Sequence, residues 1–495
     1  GEPFQKVLEP SEITVPTTAV TPDDVDAAIA DCACAAFDVT TDVPLRASLL
    51  NCGPEDHILV IVVHHIAADG WSMSPLARDV ITFYRARAAN ALPDLAPLPL
   101  QYADFALWQR RVLGDQGDPH SQLSRDLEYW TTRLAGVPDV LDLPTDRPRR
   151  DRPTHRSGRV PLRLGSELTT ALRRFAERAD STLFMVVHSA LAVTLARWSG
   201  ATDIVVGSPT AGRGDAALDD LVGMFVGTVA LRTVVDPAQP FSALLERSRR
   251  TTLDDLAHAD VPFEQVVDAL DPARHTDRHP VFQVMLAFQN NVAPELELPG
   301  LTVTPVAADT GLTQFDLTVE LSEQQGADAL DGALTYALDL FDAATVERFA
   351  SHLVSVLSFV ATQPDRSVGD IPLLGDAERL ELLGRTGGPT CTPRTLPTLL
   401  ADIVEQCPET VAVVDGDRTL TYAELSSRSD HLARALICAG AGPDVVIATA
   451  MTRSMEYVLA VWAITKAGAA VMPLDPASPA ARTTLVLAES DALLG

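Results

Sequence analysis

Lysine is almost missing: among 495 residues only Lys6 and Lys466 carry an ε-amine. That argues against chemistry built on a Schiff-base lysine or a phosphate-gripping Gly-Lys loop. Basic charge as a whole is scarce. Lys plus Arg number 38 against 67 Asp plus Glu, a net charge of −29. Such a surface repels nucleic-acid phosphates and anionic lipid, so neither nucleic acid nor membrane is an expected partner. The six cysteines (Cys32, Cys34, Cys52, Cys391, Cys407, Cys438) form no C-x-x-C pair and no zinc-like spacing with histidine. They predict reduced, mostly packing thiols in a cytoplasmic protein. No apolar run is long enough to span a bilayer, and Gly1-Glu2-Pro3-Phe4-Gln5-Lys6 is not a signal peptide. A Gly-x-Ser-x-Gly elbow, a His-Glu-x-x-His helix and a glycine-rich phosphate loop are all absent, which disfavours a serine hydrolase, a zinc protease and a phosphotransferase.

What is present is core-forming material, 46% hydrophobic against 21% charged. At roughly 100–200 residues per domain the chain should hold about three folding units. Two proline-rich seams divide it: Leu143 to Pro153, with four prolines and five arginines, and Asp376 through Gly387-Gly388-Pro389-Thr390-Cys391-Thr392-Pro393. They predict lobes over 1–152 and 153–375, a linker over 376–394, and a third block over 395–495. The last residues, Leu494-Gly495, close no element, so the chain is expected to be a piece of something longer.

The first block contains His57-Ile58-Leu59-Val60-Ile61-Val62-Val63-His64, an unbroken apolar run that predicts a strand buried on both faces. Ser74-Pro75 then predicts a helix start, with Leu76, Val80, Ile81, Phe83 and Tyr84 as its apolar stripe. In the second block strands are expected at 158–164, 204–207, 226–234, 281–289, 301–306, 315–321 and 330–338. Helices are expected at 166–179, 181–198 and 343–360. Many strands with packed helices and few βαβ repeats indicate an α/β fold with an open, mixed sheet. The third block alternates helices and strands, with Asp415-Gly416 as a hairpin turn.

The sharpest local feature is His64-His65-x-x-x-Asp69-Gly70, where a strand hands the chain to a turn. Adjacent strand residues face opposite ways, so only one imidazole can look into a given cleft. A histidine titrating near neutrality is a natural proton shuttle, and Gly70 has no Cβ to crowd a reactant. On spacing alone, polar capping of a strand end remains the commoner use of such a pair.

Val63-His64-His65-Ile66-Ala67-Ala68-Asp69-Gly70-Trp71-Ser72 resembles the active-site signature of nonribosomal peptide synthetase condensation domains. Further motifs of that family follow in order: Tyr102-Ala103-Asp104-Phe105-Ala106-Leu107-Trp108, the Leu143-Pro144-Thr145-Asp146-Arg147 segment, Val222-Gly223-Met224-Phe225-Val226-Gly227-Thr228, His258-Ala259-Asp260-Val261-Pro262-Phe263-Glu264, and Arg278-His279-Pro280-Val281-Phe282-Gln283-Val284. In the third block Leu420-Thr421-Tyr422-Ala423-Glu424-Leu425 and Lys466 to Asp475 resemble the first two core motifs of an adenylation domain.

The resemblance implies two chloramphenicol-acetyltransferase-like lobes in a V, followed by the N-terminal α/β part of an acyl-adenylate-forming domain. It implies an amide-forming acyltransferase in a secondary-metabolite (antibiotic) assembly line, with upstream and downstream peptidyl carrier proteins as partners. Their phosphopantetheine arms would enter a tunnel between the lobes. No cofactor or metal is bound directly, and ATP with Mg belongs only to a complete adenylation domain, which this partial block is not. The implied catalytic set is His65, facing the amine, with His64, Asp69 and Gly70 shaping the turn; Trp71, Ser72 and Thr228 are implied tunnel residues. Tyr102 and Trp108 are expected mainly as packing residues, and Phe263 and Phe282 as core.

Three departures stand out. The family's opening motif supplies an arginine to the aspartate matching Asp69, and Gly1-Glu2-Pro3 resembles sequence just after it. Asp69 is therefore expected to lack its arginine, and the chain to be weakly active and less stable alone. Gly227 and Ala259 replace the usual Asn and Gln, and Gly227 is expected to loosen its strand. The contexts Leu218 to Gly223 and Arg274 to Pro280 resemble the subgroup taking a D-configured donor. Rival functions are ester formation, epimerisation, and a non-catalytic interaction platform. Heterocyclisation is disfavoured because its domains carry Asp in place of the leading histidines.

Overall fold

Strand β1 (Thr17–Ala19) runs parallel to β2 (Leu45–Asn51), and β2 pairs antiparallel with β3 (His57–Val63); helix α1 (Val25–Cys34) packs on this small sheet. These elements come from a computed structural model that describes residues 4–9, 12–272, 275–289, 297–298, 300–306, 310–323, 329–385 and 392–493. Two units separate, Gly1–Leu382 and Leu383–Gly495. β3 departs from the sequence expectation. Among the described residues β2 is its only ladder partner, and Leu59 is 49% exposed. An apolar run does not reveal how many neighbours a strand will have, so an edge strand and a central one read alike.

Helix α2 (Met73–Ala88) starts one residue before the expected Ser74, burying Ile81 but leaving Phe83 and Tyr84 exposed. Helices α3 (Tyr102–Leu113) and α4 (Gln122–Arg133) follow. The chain then builds β4 (Ser157–Leu164), α5 (Ser166–Arg178), α6 (Leu183–Ser199), β5 (Asp203–Thr210), β6 (Gly227–Val234), α7 (Phe241–Ala257), α8 (Phe263–Leu270) and β7 (Val284–Gln289). A two-residue-per-arm hairpin, β8 (Glu297–Leu298) and β9 (Leu301–Thr302), stands where a strand over 301–306 was expected. Strands β10 (Leu317–Glu323) and β11 (Leu330–Ala337) lead to α9 (Ala343–Thr362) and α10 (Asp376–Gly384).

The six-stranded sheet has order β4-β11-β10-β7-β5-β6, parallel at β10–β7 and β7–β5 and antiparallel elsewhere. It is the mixed sheet that the alternating pattern predicts. Every residue from Met185 to Ala196 in α6 is buried. A helix apolar on all sides belongs inside a core, and α6 lies against α5, α7 and α9. Each fully buried leucine here, such as Leu191 or Leu195, contributes about 1.5–3 kcal/mol relative to an exposed one. Gly332 permits the β10–β11 approach, because a Cβ there would lie 1.9 Å from the Glu320 carbonyl oxygen.

In the second unit α11 (Leu396–Gln406) precedes the β12 (Val411–Asp415)–β13 (Arg418–Thr421) hairpin. Gly416, at φ 60°, makes its turn. Helix α12 (Tyr422–Cys438), β14 (Val446–Thr449), α13 (Met455–Lys466), β15 (Ala470–Pro473) and α14 (Ala480–Glu489) complete it, with β14 and β15 parallel. Residues 376–384 of the expected linker are helical; Gly387 to Cys391, like Leu494-Gly495, lie outside the described residues. Cys34 and Cys438 are exposed rather than packed.

Candidate active site

The ladder of β3 does not stop at Val63. His64 N–H donates to the Pro44 carbonyl at 2.9 Å, and Ala67 N–H donates back to the His64 carbonyl at 2.9 Å, closing a turn. The His64 ring belongs to that turn. Its Nδ1 accepts the Ile66 N–H at 3.1 Å, and its edge meets Phe37 at 5.8 Å between centroids. His64 is half-buried, whereas His65 and Gly70 are exposed. A Cβ on Gly70 would meet nothing within 4 Å, so the space beside it is open.

Asp69 is buried, at 3% exposure. One carboxylate oxygen accepts the Ser72 hydroxyl at 2.7 Å and the Ser72 N–H at 2.8 Å; the other accepts the Phe225 N–H at 2.9 Å. Arg213 lies 3.3 Å away, its side chain 4% exposed. Burial pushes the Asp69 carboxyl up, but the Ser72 and Phe225 donors and the Arg213 charge outweigh it and hold the group below the usual carboxylate range. Arg213 also donates to Ser72 Oγ at 2.9 Å and to the carbonyls of Leu221 at 3.0 Å and Leu218, with its guanidinium 4.0 Å from the Phe225 ring centre.

This corrects the expectation of an orphaned aspartate. The chain supplies an arginine to Asp69 from the turn after β5. Pro209-Thr210-Ala211-Gly212-Arg213 matches none of the motifs, and its only sequence signal is Gly212, which sits at φ 64° in a tight turn. Ser72 belongs to the same clasp. It is 0% exposed, and its hydroxyl also donates to the Gly223 carbonyl at 2.8 Å, so it secures the turn instead of lining an open channel.

The remaining motifs hold this clasp in place. Tyr102 donates to the Met224 carbonyl at 2.8 Å, and its ring covers Gly223 so closely that a Cβ there would be 2.2 Å from it. Phe105, Leu218, Leu221 and Phe225 pack around Tyr102. Asp104 closes a capping box with Gln101 at the start of α3. Asp146 accepts the Asp342 N–H at 2.8 Å and the Thr345 hydroxyl at 2.9 Å, capping α9. His258 Nδ1 lies 2.6 Å from buried Asp126, and Gln283 ties Leu141, Asp139 and His279 together. Phe282 is core and Phe263 is half-buried against it. Trp71 and Thr228 are half-buried, Thr228 paired with Pro209 across β5–β6, while Trp108 is exposed. Gly227 keeps its ladder place opposite Thr210.

A condensation-domain family model matches residues 1–383 and an AMP-binding enzyme model residues 400–494. The chain is 44% identical over 496 residues, 99% of its length, to a probable non-canonical nonribosomal peptide synthetase, CymA, of Salinispora arenicola. It is 34% identical to the X-domain of teicoplanin biosynthesis solved in complex with OxyB, at a TM-score of 0.68, covering 74% of this chain and 80% of that one. A four-domain nonribosomal peptide synthetase bound to AMP and glycine shares the fold at a TM-score of 0.75 and 23% identity, covering 98% of this chain and 37% of that one. The chain spans 6% to 20% of the length of the first curated relatives it matches.

Proposed function

The chain belongs to the condensation-domain family, with the start of an AMP-binding enzyme domain behind it, and from that premise we propose that it forms peptide bonds. In this proposal an aminoacyl or peptidyl thioester on an upstream carrier protein is transferred to the amine of an amino acid on a downstream carrier. Residues 1–152 and 153–375 would be the two lobes, 376–394 the linker and 395–495 the adenylation part. The observation that supports it is an exposed imidazole, His65, beside the open space at Gly70, on a turn anchored by the buried Asp69 cluster.

A thioester is already activated, so the demand on the protein is modest. Holding amine and carbonyl in line can lower the barrier by up to ~7–11 kcal/mol, and a positioned base adds ~10²–10⁴-fold. His65 would accept from or orient the amine, His64 and Asp69 would shape the turn, and Gly70 would leave room for the thioester. Trp71 and Thr228 would face the tunnel. The phosphopantetheine arms of the carriers would deliver both reactants. A D-configured donor is part of the proposal, supported by the Leu218 to Gly223 context; Arg274 of the second context lies outside the described residues.

The test is His65→Ala in the complete synthetase with both carriers loaded. Amide formation should fall at least ~10²-fold, the lower end of a base's contribution. Unchanged turnover would remove His65 from the chemistry, and a preference for L-donors would remove the stereochemical part. An alternative function, docking of a partner protein, is favoured by the likeness to an X-domain solved with OxyB. Stable capture of a partner protein with no His65-dependent turnover would select it.

A further inference from the structure

Helix α10 is the last helix before the chain crosses to the second unit. Of its nine residues, Glu378 alone is not exposed, and Leu380 and Leu383 are 69% and 66% open. Apolar burial therefore does little to hold this helix. Glu378 instead reaches His352 of α9, whose Nε2 lies 3.0 Å from Glu378 Oε2. The Nδ1 of the same ring, 7% exposed, takes the indole N–H of Trp198 on α6 at 3.0 Å. An indole nitrogen only donates, so Nδ1 must be the acceptor, and in the neutral ring the proton sits on Nε2, directed at the carboxylate. Trp198 is itself packed edge-on against Phe349 at 5.2 Å. The relay thus runs from the core of the six-stranded sheet's helical layer, through one imidazole of defined tautomer, to the only shielded side chain of α10.

We propose that Trp198–His352–Glu378 is the anchor that fixes where the tether between the two units begins. With α10 held, the tether is Arg385 to Thr395, eleven residues, which span at most about 40 Å when fully extended. With α10 released and unwound the tether would start at Asp376, twenty residues, and reach about 70 Å. One hydrogen-bonded carboxylate thereby sets the working radius of whatever the second unit carries. The proposal does not depend on the acyltransfer chemistry.

Hydrogen exchange of the whole chain tests it, with limited proteolysis over 376–395 as the second measurement. Glu378→Ala removes the acceptor and leaves the Trp198–His352 bond in the core intact. It should speed exchange across 376–384 at least tenfold and expose the tether to cleavage, without lowering the unfolding midpoint of the first unit. Glu378→Gln keeps an acceptor oxygen and should restore protection. Exchange within twofold of the parent in Glu378→Ala would overturn the anchor. So would α10 amides already exchanging at the unprotected rate in the parent, or a lowered midpoint shared by both variants, which would make Glu378 part of the body's own fold.

Discussion

Replacing Arg213 by Met keeps a long apolar stem but removes the guanidinium from a site where its side chain is 4% exposed and that of Asp69 0%. At the observed 3.3 Å, two unit charges attract by about 5 kcal/mol at an effective dielectric of 20. Most of that offsets desolvation when both partners are present. Removing one partner strands the other, which costs about 3–5 kcal/mol. Arg213→Met also leaves the Leu218 and Leu221 carbonyls and Ser72 Oγ without a donor. Denaturant unfolding, following the transition of the first unit, should show a loss of that size. In Asp69→Ala/Arg213→Met the total should fall short of the two single losses by 0.5–3 kcal/mol, roughly the usual coupling of contacting charges. Because the Asp69 pKa is depressed, its contribution is complete above about pH 4 and disappears as pH falls through the lowered value. Additive single losses, or a single loss under about 0.5 kcal/mol as for an unlinked surface change, would refute the clasp as the support of the His64–His65 turn.

Buried His188 is held down to about 4 by desolvation, so it stays neutral in the fold while the unfolded chain protonates near 6.5. The unfolded state binds the extra proton in that window, so stability should fall by about 3 kcal/mol as pH drops from 6.5 to 4; His188→Gln with a parallel pH–stability curve would contradict this. Gly223→Ala should lower the midpoint by about 1–3 kcal/mol, because its Cβ would strike the Tyr102 ring at 2.2 Å. Gly70→Ala meets nothing within 4 Å and should leave stability within about 0.5 kcal/mol, so any loss of turnover would report crowding of reactants; equal midpoints for the two variants would defeat the distinction.

Much of the larger body was legible because its elements bury one kind of surface. The run from Met185 to Ala196 could only be an interior helix, and β4, β6 and β11 appear within two residues of their expected starts. The edge character of β3 was not legible, since it depends on partners far along the chain. The histidine turn was visible as a motif, yet its main support was not. Arg213 lies 144 positions from Asp69, and nothing local distinguishes it from the other arginines of an Arg-rich, Lys-poor chain. Several motif residues with chemical-looking side chains, Asp104, Asp146 and Gln283, proved to be caps and ties. Local spacing cannot tell a carboxylate that caps a helix from one that meets a substrate.

The clasp also dictates an order of events at the ribosome. Ser72 and Asp69 bond to residues 151 and 156 positions downstream, so the histidine turn cannot lock when its own strand emerges. At 5–20 residues per second the wait is roughly 8–30 s. During that interval β3 and its exposed apolar side chains lie open to chaperones or to neighbouring nascent chains, and slower translation between the two loops would lengthen the exposure.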